Sequence, residues 1–194
     1  MTGISNNRRV QYTVSQFKAA LLQILATKSL DEVTVTEICR QADLNRGTFY
    51  LHFASPLALF EQIETDLLNE IQPYLSVKID DMTKMLVPIL KVITQHPQAA
   101  TIILTNPDST VLEKIVRPIQ TQTQARYQAW YREADPKQLA YYYAFFVQGA
   151  EGVLTMWLKQ GMKESPEQIA KVIENVVTKG APHCCLLYTS PSPR

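Results

Sequence analysis

Five side chains between Thr36 and His52 have the types and the spacing to grip a nucleic acid. On the exposed face of a helix, the Arg46 guanidinium can reach guanine O6 and N7 with two parallel hydrogen bonds. It can equally bind a phosphate, since phosphate contacts are at least half of protein–DNA hydrogen bonds, and both readings stand. Gly47 has no side chain, which lets such a helix approach a groove closely. Thr48 offers a hydroxyl to a base or phosphate and a methyl to thymine. Tyr50 and His52 remain available on the outside, and Thr36 lies on the exposed side of the segment before them.

These residues need two short helices and a tight turn. Thr34 can cap a helix and Glu37 can complete a capping box, so the spacing predicts a helix over Val35 to Ala42 with Val35, Ile38, Cys39 and Ala42 facing inward. Asp43 and Leu44 make the turn. Asn45 caps a second helix over Arg46 to His52, whose Phe49 and Phe53 point to the core. That is a helix-turn-helix pattern. Before it, a helix from about Thr13 to Thr27 presents Phe17, Leu21, Leu22, Ile24 and Leu25, and residues 28–31 close it. After it, Ser55 and Pro56 form an N-cap with proline at the first helical position. They open a helix through Leu59, Phe60, Ile63, Leu67 and Ile71 that Pro73 is expected to end.

Thr34-Val35-Thr36-Glu37-Ile38, then Ala42, then Asn45-Arg46-Gly47-Thr48-Phe49-Tyr50-Leu51-His52-Phe53 resembles the DNA-binding signature of the TetR family of bacterial transcription regulators. The resemblance holds in spacing and residue type from about Phe17 to Phe60, and beyond Glu61 it is architectural. It implies contacts to DNA from Thr36, Asn45, Arg46, Gly47, Thr48, Tyr50 and His52, with Tyr50 and His52 near phosphates; for His52 a structural role stands beside that one. Two positions depart from the family pattern. Asp43 fills a turn position usually held by glycine, which is tolerable because Asp can adopt a left-handed backbone. Pro56 replaces a lysine, so one phosphate-binding charge is missing, and Lys18 or Lys28 need not supply it. The Arg8-Arg9 pair reads either as an arm adding phosphate or minor-groove contacts, or as a solubilising tail.

The chain of 194 residues can bury a core and holds one domain or two small ones. Charged residues are 19% of it, and no apolar run approaches the roughly 20 residues that cross a bilayer. The first dozen residues lack the apolar stretch of a secretory signal, so a cytoplasmic protein with no membrane partner is expected. Net charge is +1. Residues 1–60 hold six basic and four acidic side chains, an asymmetry compatible with phosphate contacts and too small to argue from alone.

With only 6 glycines and apolar residues recurring three and four apart, the chain reads as all-α. The expected architecture is an N-terminal three-helix DNA-binding domain over residues 1–54 and a C-terminal helical effector-binding and dimerisation domain over 55–180. Further helices are expected from Ile79 to Gln95, Gln98 to Thr105, Ser109 to Glu133, Pro136 to Gly161 and Ser165 to Thr178, punctuated by His96-Pro97, Asn106-Pro107-Asp108, Asp135-Pro136 and Ser165-Pro166. Pro88 and Pro118 should kink or split two of them. Residues 181–194 read as a disordered tail. Cys185 to Arg194 can be encoded by the end of a transposase adapter used in sequencing libraries, so this tail is expected to be an assembly artefact that replaces the true C-terminus.

Aromatic residues concentrate in two adjacent helices of the C-terminal half. Such residues serve either as core or as the wall of a small-molecule pocket, and Met82, Met85, Tyr127, Trp130 and Phe145 are the candidate ligand contacts. A stripe through Tyr143, Val147, Ala150 and Leu154, then Ile169, Val172, Ile173 and Val176, is the candidate dimer interface. Gly149 and Gly152 in mid-helix would cost stability unless helices approach closely there. The family resemblance implies a four-helix bundle between two such pairs. Residues 141–170 also look like the C-terminal module of a TetR subgroup with uncharacterised ligands.

No Gly-rich phosphate loop, H-E-x-x-H or catalytic constellation is visible, so neither an enzyme nor a cofactor is expected. His183-Cys184-Cys185 adjoins the suspect tail, and no metal is expected. Cys39 fits a small core position better than a redox sensor. These readings converge on a homodimeric regulator that binds a palindromic double-stranded operator and is released by a small-molecule effector. An activator, or a regulator of the same fold without a ligand, is the alternative.

Overall fold

The computed structural model describes residues 3–75, 82–106, 109–115, 117 and 135–186, and among them every regular element is helical. The chain divides into two compact units, Met1–Leu67 and Leu68–Arg194.

In the first unit, α1 (Gly3–Leu25) is followed by a 3₁₀ turn (Leu30–Glu32), α2 (Val35–Ala42), α3 (Arg46–Tyr50) and the start of α4 (Pro56–Leu75). Helix α1 begins ten residues before the expected Thr13, because residues 4–12 contain neither proline nor glycine to stop it. Arg8 and Arg9 are therefore exposed helical residues and not an extended arm. Phe17, Leu21, Ile38, Phe49 and Leu59 are buried at the centre. Phe17 meets the edge of Phe49 at 5.2 Å between ring centroids and of Phe53 at 6.4 Å. Each buried aromatic stabilises the unit by about 1.5–3 kcal/mol through area alone, and each edge-on pair adds roughly 0.5–1.5 kcal/mol.

The unit does not stop at residue 54. Leu59, Phe60, Ile63 and Leu67 of α4 are buried, and Lys18 of α1 donates to Asp66 of α4. The first turns of α4 thus complete the core that α1 to α3 leave open. Ser55 caps the helix, its Oγ accepting from the Ala58 N–H at 3.1 Å. Helix α4 runs through Pro73 to Leu75. Proline removes one donor and does not end the helix there.

The second unit contains the end of α4, α5 (Met82–Gln95), α6 (Pro97–Thr105), α7 (helical backbone at 111–115), α8 (Pro136–Lys159) and α9 (Pro166–Leu186). Pro88 lies inside α5 without splitting it. Helix α8 starts from a capping box in which Asp135 accepts from the Gln138 N–H at 2.9 Å. Gly161 and Met162 adopt positive φ of 79° and 54° to turn the chain after α8. The buried Trp157 fixes this corner by donating its Nε1–H to the Glu164 carbonyl at 3.0 Å. Helix α5 packs on α9, and α8 packs on α6 and α9; Lys91 and Glu167 pair across α5 and α9 at 2.9 Å. The backbone of α9 stays helical to Leu186, so 181–186, expected as disordered tail, continue the helix. Pro118 and residues 187–194 lie outside the described residues.

Candidate nucleic-acid interface and effector cavity

The reader is built by two caps. The Thr34 hydroxyl oxygen accepts from the Glu37 N–H at 3.3 Å, and Glu37 Oε2 accepts from the Thr34 N–H at 2.9 Å, the reciprocal box that the sequence predicts. Lys28 Nζ donates to Glu37 Oε1 at 2.9 Å. These bonds, that from Lys28 above all and then those from Thr34, hold the Glu37 carboxyl well below its ordinary range, at about 2. Asp43 takes the left-handed conformation, φ 52° and ψ 43°, so the chain turns where a glycine would otherwise be used.

Asn45 caps α3. Its Oδ1 accepts from the Thr48 N–H at 2.7 Å and from the Thr48 hydroxyl at 3.0 Å. The cap therefore uses the Asn45 carbonyl oxygen and the Thr48 proton, leaving the Asn45 amide protons and the Thr48 lone pairs for other partners. Gly47 has a second role that the sequence reading missed: a Cβ there would stand 3.2 Å from Asn45 Oδ1, pressing on the capping oxygen. The pattern of a cap followed two residues later by glycine is the signal that could have revealed it.

Thr36, Asn45, Arg46, Gly47 and Tyr50 are exposed, and Thr48 and His52 are half-buried. Tyr50 is 52% exposed and rests edge-on against Phe49; His52 leans on Phe53. Lys18 and Lys28 are both ion-paired, with Asp66 and Glu37. Neither is free to replace the charge lost at Pro56. Among the described residues of this unit, Arg8, Arg9, Arg40 and Arg46 are exposed guanidinium groups without an ion pair. Cys39 is buried, and burial pushes its thiol pKa up against the opposing field of Arg46. That favours the inert thiol expected of a packing residue.

The second unit contains a partly open apolar cavity of about 120 Å³ between α5, α6, α7, α8 and α9. Met82 and Met85 line it together with Ile89, Ile93 and Phe146. The candidate dimer residues are placed otherwise. Tyr143, Val147, Ala150, Leu154 and Ile173 line this cavity, and Ile169 is buried. Only Val172 and Val176 of that set are exposed. Phe145, a candidate ligand contact, is 69% exposed on the outside. Tyr127 and Trp130 lie outside the described residues, as do the side chains of His183 to Cys185.

The outward apolar face of α8 is instead Tyr141, Phe145, Gly149, Gly152 and Met156. Their spacing of four, four, three and four residues keeps them on one side of a helix. A Cβ at either glycine would meet nothing within 4 Å. Sequence reasoning also missed Glu151, the only charged residue from 138 to 158, which lines the cavity. That isolation in an apolar run is itself the signal.

Among the described residues no group of three potential metal ligands occurs, and no helix is long and apolar enough to cross a membrane.

A capped helix pair with a short exposed second helix, followed by a helical unit with an apolar cavity, is the arrangement of a helix-turn-helix DNA-binding protein with an appended helical domain. Residues 19–63 match the family model described as bacterial regulatory proteins of the tetR family, and residues 80–179 match that of a transcriptional regulator C-terminal region. The chain belongs to the TetR family of bacterial transcriptional regulators. Over 50 residues it is 36% identical to the uncharacterised helix-turn-helix regulator YvdT of Bacillus subtilis strain 168, a match spanning 26% of each chain. A TetR regulator from Streptococcus agalactiae 2603V has the same fold, with a TM-score of 0.63 and 21% identity over 91% of this chain and 99% of that one. The fatty acid degradation regulator FadR of Bacillus halodurans follows at 0.55 and 16%, over 85% and 94%.

Proposed function

We propose that the protein is a homodimeric repressor that binds a palindromic operator and is released when a small organic effector occupies the cavity of its second unit. The observation that carries this reading is the cavity: a regulator that needed no ligand would gain by filling it, since empty apolar space costs stability. Two α3 helices about 34–36 Å apart would enter successive major grooves. Arg46 reads a base, while Thr36, Tyr50, His52 and the Asn45 amide bind phosphates. Gly47 lets the helix close on the groove, and Thr48 presents its methyl and lone pairs to the bases.

The second copy docks on Tyr141, Phe145 and Met156 of α8 with Val172 and Val176 of α9. The exposed apolar side chains and the two open glycines support this, because they allow close helix approach. Release follows when the effector binds the DNA-incompetent state more tightly than the bound one. Acting on DNA and not on a substrate, the chain would work in the cytoplasm as a regulator and not as a catalyst.

Selection of genomic fragments on the purified protein, followed by release with candidate metabolites, tests the whole reading. A two-fold symmetric site is expected. Recovery of fragments without one overturns it, and a regulated promoter that rises on protein binding replaces repressor with activator.

A further inference from the structure

We infer that the effector is a small apolar molecule carrying a protonated amine, its body among the aliphatic side chains of the cavity and its cationic end against Glu151. This rests on the reading of the cavity as the effector site.

The size of the body follows from the space. An apolar cavity of roughly 150 Å³ holds benzene in a protein interior, and the inner cavity here is about 120 Å³. One ring or a short alkyl chain fits. Glu151 decides the chemistry of the end group. It is the sole charged residue among the described residues lining the inner cavity, and among the described residues its carboxylate has no hydrogen-bonding or ionic partner.

Glu151 also lines an adjoining outer cavity of about 470 Å³, together with Glu113, Arg117 and Tyr143. It lines both spaces and also an open surface groove with Thr155 and Lys159. Among its described lining residues the outer cavity has two carboxylates to one guanidinium, and Arg117 does not line the inner one. Tyr143 lines both and supplies a neutral phenol, burial having pushed its pKa up.

A carboxylate beside apolar walls loses hydration when a ligand displaces water, and only a charge-matched partner restores what is lost. A carboxylate-bearing ligand would face Glu151 with no basic side chain among the described residues lining the inner cavity to offset the repulsion. A neutral alcohol can donate a hydrogen bond to Glu151 but leaves its charge without an ionic partner. An ammonium group pairs with it through a charge-assisted hydrogen bond.

Calorimetric titration of the full chain with 2-phenylethylamine, 2-phenylethanol and phenylacetate tests this, since the three share a ring and differ at the end group. The amine is expected to bind about ten- to a hundredfold more tightly than phenylacetate, with the alcohol between, as a charge-assisted bond predicts. In Glu151→Gln the preference for the amine over the alcohol should vanish. Phenylacetate or the alcohol binding as well as the amine overturns the assignment, yet leaves the cavity an effector site because an organic ligand still enters it. Retention of the amine preference in Glu151→Gln also overturns it. If that variant does not fold, the wild-type ranking alone decides. No binding by any of the three overturns the amine assignment at this cavity. Amine binding that leaves operator affinity unchanged sinks the effector reading and spares the ligand class.

Discussion

Phe145 and Phe146 are consecutive in α8 with ring centroids 5.5 Å apart, yet Phe146 is 7% exposed and lines the cavity while Phe145 is 69% exposed. The boundary between the inside of the second unit and its outer face runs between them. Everything proposed for dimerisation and for ligand binding depends on which side of that boundary a residue of α8 falls.

Phe145→Asp should convert the proposed dimer to monomer at micromolar concentration, because an aromatic at the centre of an interface commonly carries about 2 kcal/mol or more of binding energy. Sedimentation equilibrium reads the mass, and operator affinity should fall with it. A variant that stays dimeric would show that α8 docks through another face.

Arg46→Ala is expected to lose about 1–3 kcal/mol of operator binding, concentrated at one base position in each half-site. Fluorescence anisotropy against operators varied base by base measures this. A loss equal at all positions, with the salt slope reduced by about 1, would make Arg46 a phosphate contact.

Asn45 separates capping from DNA contact. Asn45→Ala should cost about 1 kcal/mol in urea unfolding, because the Thr48 N–H loses its acceptor. Asn45→Asp keeps the acceptor and should keep the stability, but replaces the amide donors with a negative charge facing phosphate. Its operator affinity should fall. If both variants unfolded alike, the cap would not be the source of the effect.

Glu37 makes the reader acid-sensitive. Its pKa is depressed from 4.5 to about 2 in the folded chain. The stabilisation is therefore fully present above about pH 4.5 and is lost as pH falls toward 2. Glu37→Gln retains a capping partner for Thr34 but cannot pair ionically with Lys28. Wild type should be the more stable at pH 6, and the difference should shrink steadily between pH 5 and pH 2 in urea titrations. A difference independent of pH would remove the carboxylate as its cause.

The reader was legible because its determinants are local. Thr34 and Glu37, Asp43, and Asn45 with Thr48 each act within three or four residues, so spacing and residue type suffice to place caps and turn. The start of α1 was missed for the complementary reason, that nothing in residues 4–12 forces a stop or a start. The extent of the first unit was also hidden, since the Lys18–Asp66 pair and the burial of Leu67 join segments far apart in sequence.

By itself, then, the sequence determined an all-helical chain, the two caps, the left-handed turn at Asp43 and the short second helix with Arg46 and Tyr50 on its surface. Only the tertiary structure decided which stripe of α8 faces inward. That helix carries apolar residues nearly all round, so both Tyr143-Val147-Ala150-Leu154 and Tyr141-Phe145-Met156 satisfy helical periodicity. The two stripes lie about 180° apart on the helix, and local pattern cannot rank them. The packing of α8 on α6 and α9 does, turning the first toward the cavity and leaving the second, with Gly149 and Gly152, on the surface.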